Sequence, residues 1–135
     1  MGIWETKRYY AAMTPEDLCS CAYCRNYMEQ VKAVYPRLSK YLGDIGVDVE
    51  KPFETMPLEP DGDGTIVYLG VQYIVLGDKV GFEKTAIADK PGEVSIELAR
   101  SHPGTDIVDP HYVIEIEPIR LPWTGQDESE AQKAR

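Results

Sequence analysis

Between Cys24 and Ile45 the apolar positions Cys24, Met28, Val31, Tyr35, Leu38, Leu42 and Ile45 recur at spacings of 4, 3, 4, 3, 4 and 3 residues. That is the period of one helical face. Start signals stand earlier. Thr14 suits an N-cap, Pro15 the first helical position and Glu16 the positive helix end, while Asp17 three residues after Thr14 approximates a capping box. Pro36 falls inside the stripe, where its missing N–H and its ring oppose a continuous helix. The pattern therefore predicts two helices, or one kinked helix, with the break near Tyr35 and with Gly43 and Gly46 as stop signals. A single stripe this short is expected to pack on a sheet rather than in a coiled coil.

After residue 50 the period changes. Thr65 to Leu76 is apolar on both alternating faces, as in a central strand, and Gly70 inside it suits a bulge or bend. Tyr68 and Tyr73 flank that glycine and share a face only if it resets the alternation. Gly77-Asp78-Lys79 reads as a turn, with Lys79–Ala88 as a return strand. Pro91-Gly92 marks another turn. Val94, Ile96 and Leu98 then alternate with polar or small residues, and Tyr112, Ile114 and Ile116 form a last half-buried strand before Pro118. At the other end, Ile3 to Tyr10 is rich in β-prone residues and is expected to pair as a strand.

Helices first and strands afterwards predict an α+β fold, with one or two helices near the N-terminus packed on a mainly antiparallel β-sheet. Length and the absence of an internal linker predict one domain over residues 1–124, followed by a polar, flexible tail over 125–135. The 135 residues carry a net charge of −9. Residues 61–135 hold 7 basic and 14 acidic side chains, so that half alone is −7. Its field repels phosphate backbones and disfavours nucleic acid. It suits a basic protein partner, although such a charge also serves solubility. No stretch approaches the roughly 20 apolar residues of a membrane span, and no charged n-region precedes an apolar h-region. The expectation is a cytoplasmic protein with no membrane contact.

The three cysteines, Cys19, Cys21 and Cys24, form one C-x-C-x-x-C cluster. Three readings compete. If a helix runs unbroken from Pro15, Cys21 and Cys24 belong to its buried face as small hydrophobes, and Cys19 lies about 200° around the axis from Cys21. A zinc site is the second reading, because C-x-x-C is a common half-site. It requires residues 19–21 to form a turn, with Ser20 as the N-cap. It also needs a fourth ligand from His111, His102, an acidic side chain or another subunit. The third reading is thiol chemistry, favoured by a helix N-terminus and Arg25 but lacking the βαβ context of a redox fold. A disulfide framework is not expected from an odd number of cysteines in a reducing compartment.

Other motifs carry less. Asp61-Gly62-Asp63-Gly64 lacks the glycine and glutamate that a calcium loop needs at its sixth and twelfth positions, and reads as a turn. The Met1-Gly2 start fits an acylation pattern with no second anchoring signal. The run Cys19-Ser20-Cys21-Ala22-Tyr23-Cys24-Arg25-Asn26-Tyr27 resembles the C-x-C-x-x-C-R-N-[YF] signature of small uncharacterised bacterial proteins. Tyr35-Pro36, Leu42 to Asp48, Lys51-Pro52 and Tyr68 to Tyr73 resemble the same family, with Ile74 where its members often carry a histidine. The likeness spans roughly residues 14–78. It implies a bacterial cytoplasmic domain and brings no activity, substrate or cofactor with it.

These observations order the functional expectations. A non-enzymatic binding or interaction module leads, with a protein partner or homo-oligomer and no catalytic residue assigned. A zinc-binding protein using Cys19, Cys21 and Cys24 is the alternative, and a thiol-dependent enzyme is third. No cofactor is required by the first; zinc belongs to the second.

Overall fold

The computed structural model describes residues 2–124, so the segment 125–135 expected as a tail lies outside the described residues. Three helices precede six strands: α1 (Gly2–Ala12), α2 (Ala22–Val34), α3 (Pro36–Asp44), β1 (Glu54–Pro57), β2 (Thr65–Leu76), β3 (Thr85–Asp89), β4 (Gly92–Leu98), β5 (His111–Glu117) and β6 (Ile119–Pro122). All strand pairings are antiparallel, in the order β1-β2-β5-β4-β3, with β6 pairing the first part of β2. This is the expected α+β arrangement of N-terminal helices on an antiparallel sheet.

The apolar helical stripe maps onto α2 and α3. Pro36 opens α3 directly after the Tyr35 junction, and Val31, Tyr35, Leu38 and Leu42 are buried against the sheet. Tyr35 offers α3 no side-chain cap. That role falls to Asp89 at the end of β3, whose two carboxylate oxygens accept from the backbone N–H groups of Arg37 (3.1 Å) and Leu38 (3.0 Å). A carboxylate there satisfies orphan donors and meets the positive end of the helix.

β2 is the central strand and spans the predicted residues. Its alternation does reset at Leu69-Gly70. Across that point Thr55 of β1 pairs with Val71 but Pro57 pairs with Tyr68, so β2 carries one extra residue. Tyr68 and Tyr73 consequently enter the same core. Tyr27 meets both: its ring stands edge-on to Tyr68 at 5.2 Å, and its hydroxyl is 2.5 Å from that of Tyr73, which donates to the Val49 carbonyl. Burial raises the pKa of both Tyr27 and Tyr73, so these phenols stay protonated donors inside the core.

The N-terminal segment departs from expectation. Ile3 to Tyr10 forms helix α1, not a strand, and tertiary hydrogen bonding explains why. β1 covers the edge of β2 only over residues 68–72. Beyond it, Ile74 and Leu76 would turn unpaired backbone groups toward the buried side. Tyr10 Oη accepts from Ile74 N–H (3.1 Å) and donates to Ile74 C=O (2.7 Å), while Thr6 Oγ1 accepts from Leu76 N–H (3.0 Å). Four residues of helix rise about 6 Å, close to the roughly 6.6–6.8 Å between alternate strand residues. Thr6 and Tyr10 thus act as a side-chain substitute for a neighbouring strand. Gly2 lets α1 press onto the strand end, since a Cβ there would stand 2.5 Å from the Leu76 carbonyl oxygen.

Two further segments differ from the sequence reading. Lys79–Ala88 is not a return strand on β2: it is a 3-10 turn (Lys79–Gly81) followed by β3, which pairs with β4 across the Pro91-Gly92 turn at the far edge. β1 and β6 had no recognisable pattern, being four residues each. No helix among the described residues is long and apolar enough to cross a membrane.

Candidate metal centre

The capping signals at Thr14 to Asp17 are real but open only one turn. Thr14 N–H donates to Asp17 Oδ2 (2.8 Å), and a 3-10 turn over Pro15–Asp17 ends at Leu18 with extended backbone. The unbroken helix from Pro15 is therefore corrected: α2 begins at Ala22, and Cys21 itself is the N-cap. Its sulfur accepts from the Cys24 backbone N–H at 3.4 Å, the role usually taken by serine or aspartate oxygen. Residues 19–21 are irregular backbone with a bend at Cys21, so the continuous helix that opposed the metal reading is absent, and the cap stands one residue later than Ser20.

This geometry undoes the angular separation a continuous helix would impose on Cys19 and Cys21. The three sulfurs lie within 4.8 Å of one another and form a group that could hold a metal ion. A tetrahedral ion with sulfur ligands at about 2.3 Å separates those sulfurs by about 3.8 Å, which lies inside that limit. Exposure is graded along the cluster: Cys19 is exposed, Cys21 half-buried and Cys24 buried. Cys24 Sγ also faces Thr55 Oγ1 of β1 at 3.3 Å, which ties the helix start to the edge strand.

The thiols differ electrostatically. Cys19 is held below the ordinary thiol range, chiefly by the backbone N–H of Cys21, with the Cys21 and Cys24 thiols assisting against its partial burial and Glu54. Burial pushes Cys24 up to about 12, with the Thr55 hydroxyl opposing. Without a cation, three thiolates this close repel one another, and the buried one keeps its proton. A divalent ion removes that obstacle and releases protons as it binds.

Neither imidazole joins the sulfurs. His111 is held by the Asp109 carbonyl at Nδ1 (2.8 Å) and by Thr105 Oγ1 at Nε2 (2.7 Å). His102 packs edge-on to Phe53, with Nδ1 at 2.8 Å from the Pro103 carbonyl. Both line an open groove of about 1080 Å³ at the end of the sheet where Gly2 meets Leu76. Among the described residues, the group that could hold a metal contains only the three cysteines. Asp61 to Gly64 forms the expected turn, with Gly64 N–H donating to Asp61 C=O and Thr65 N–H to Asp63 Oδ1.

Thr55 is the neighbour that sequence reasoning missed. It lies 31 residues from Cys24 on a strand too short to show a period. No local signal connects them. No family model, curated protein or solved structure matches the chain.

Proposed function

We propose that this chain is a metal-binding protein that holds one thiophilic ion, zinc foremost, on Cys19, Cys21 and Cys24. The observation that carries the reading is the convergence of all three sulfurs to within 4.8 Å at the start of α2, with one of them serving as the helix cap. Thiolate ligands select soft or borderline ions such as zinc and copper(I) over calcium or magnesium. Three protein ligands leave a tetrahedral ion one position for water, an exogenous ligand or a second chain, which distinguishes such a site from a closed four-ligand structural one. Thr55 behind Cys24 would orient the buried ligand, as outer-shell hydrogen bonds do at such centres.

The test is native mass spectrometry of protein purified under reducing conditions without a metal-affinity tag. One zinc per chain is expected, lost on chelation and absent from Cys21→Ser and Cys24→Ser variants. Cobalt uptake should produce a thiolate-to-cobalt charge-transfer band. A chain that is metal-free as purified and takes up neither added zinc nor cobalt defeats the reading.

A further inference from the structure

We infer that Cys19 is an oxidation site that controls occupancy of the metal centre: hydrogen peroxide joins Cys19 to Cys21 as a disulfide and the ion leaves. This rests on the metal-binding reading above and adds its regulation. Two observations point to Cys19 as the first sulfur attacked. It is the exposed member of the triad, whereas Cys21 is half-buried and Cys24 buried. It also lies in the irregular segment between the Pro15–Asp17 3-10 turn and α2, whereas Cys21 is fixed as the cap of that helix. All three sulfurs have local partners, Cys19 Sγ the Cys21 N–H, Cys21 Sγ the Cys24 N–H and Cys24 Sγ the Thr55 Oγ1, so exposure is what sets Cys19 apart.

The resolving thiol is Cys21. All three sulfurs lie within 4.8 Å of one another, so either neighbour is near enough. Cys24, however, is buried against the edge strand, and moving it toward Cys19 would pull it from Thr55. Cys21 is the less buried of the two and adjoins the irregular segment that carries Cys19.

The chemistry balances without a further reactant. The Cys19 thiolate attacks one peroxide oxygen, the O–O bond breaks, and the departing hydroxide takes a proton to become water. Cys19 is now a sulfenic acid. The Cys21 sulfur attacks the Cys19 sulfur, the S–O bond breaks, and the hydroxyl group leaves with a proton as a second water. Two thiolates have lost two electrons between them, and one peroxide, taking up two protons from solvent, has become two waters. The ion then has one protein ligand, Cys24, where it had three, and it dissociates.

The experiment uses reduced wild-type protein loaded with zinc and titrated with hydrogen peroxide. A chromophoric chelator follows released zinc while alkylation and peptide mass mapping follow the thiols. Release of one zinc per chain is expected, together with a Cys19–Cys21 disulfide, Cys24 as the alkylated thiol, and reloading after a dithiol reductant. Zinc that stays bound while peroxide is consumed overturns the inference and leaves the metal reading standing. So does release with Cys19 still free, or with a Cys21–Cys24 disulfide. A reduced chain that never takes up zinc defeats the metal reading itself, and this inference with it.

Discussion

Replacing Tyr10 by phenylalanine removes one hydroxyl from a core that otherwise keeps its shape. That hydroxyl both accepts from Ile74 N–H at 3.1 Å and donates to Ile74 C=O at 2.7 Å, and Tyr10 is only 3% exposed. Ile74 is 1% exposed, and its backbone groups point away from β5 toward the edge that β1 does not reach. The variant therefore leaves a buried donor and a buried acceptor unpaired. At about 1–3 kcal/mol for each such group, the loss should be about 2–4 kcal/mol once partial relaxation is allowed for. Roughly 3–4 °C per kcal/mol suits a domain of this size, so the melting temperature should fall by roughly 6–16 °C. Thr6→Val is the isosteric counterpart at Leu76 and should cost about 1–3 kcal/mol, whereas Thr6→Ser keeps the hydroxyl and should cost less than Thr6→Val. Urea unfolding followed by circular dichroism measures the stabilities, and amide hydrogen exchange at Ile74 and Leu76 reads the local effect. The amide of Ile74 should lose protection selectively in Tyr10→Phe. A loss below about 0.5 kcal/mol with unchanged exchange at Ile74 would refute the idea that α1 stands in for a strand.

Three more expectations follow from the same geometry. In metal-free reduced protein, iodoacetamide at pH 8 should label Cys19 first and Cys24 at least roughly a hundredfold more slowly, because Cys24 is buried and its thiolate suppressed; equal rates would contradict the exposure gradient. Glu117 has its carboxyl raised by desolvation first and then by Glu115 and Glu97, so its neutral form is favoured by folding, and the stability this contributes is lost as pH rises through the folded value. Glu117→Gln should accordingly melt higher than wild type at pH 7, with the difference fading below the ordinary value of 4.5; thermal scans across that range would show it, and a lower melting temperature at pH 7 would reverse the sign. Asp89→Ala removes the side-chain cap of the α3 N-terminus and should cost about 0.5–2 kcal/mol in a urea titration; an unchanged midpoint would mean solvent caps those two amides equally well.

The chain by itself determined the elements whose information is local and repeated. The 4-3 stripe, the proline break at Tyr35-Pro36, the long central strand from Thr65 to Leu76 with a glycine suited to a bulge, and the Pro91-Gly92 turn are all written in neighbouring residues, whereas the reset of the strand at Gly70 shows only in its pairing. So was the identity of the three candidate ligands. Only the tertiary structure decided what the strand edges require. Ile3 to Tyr10 has strand propensity, yet it is helical because Thr6 and Tyr10 satisfy backbone groups on β2 some 64–70 residues away. Likewise, Thr14 to Asp17 caps a single turn, and the helix waits until Cys21 can cap it with sulfur. That one shift brings Cys19 to the same side as Cys21 and Cys24 and sets Thr55 behind them, while His102 and His111 stay outside the sulfur group. Propensity and periodicity act over a few residues. The pairing of buried polar groups acts across the whole fold, and it outweighs a weak local preference because each unmet group costs more than that preference is worth.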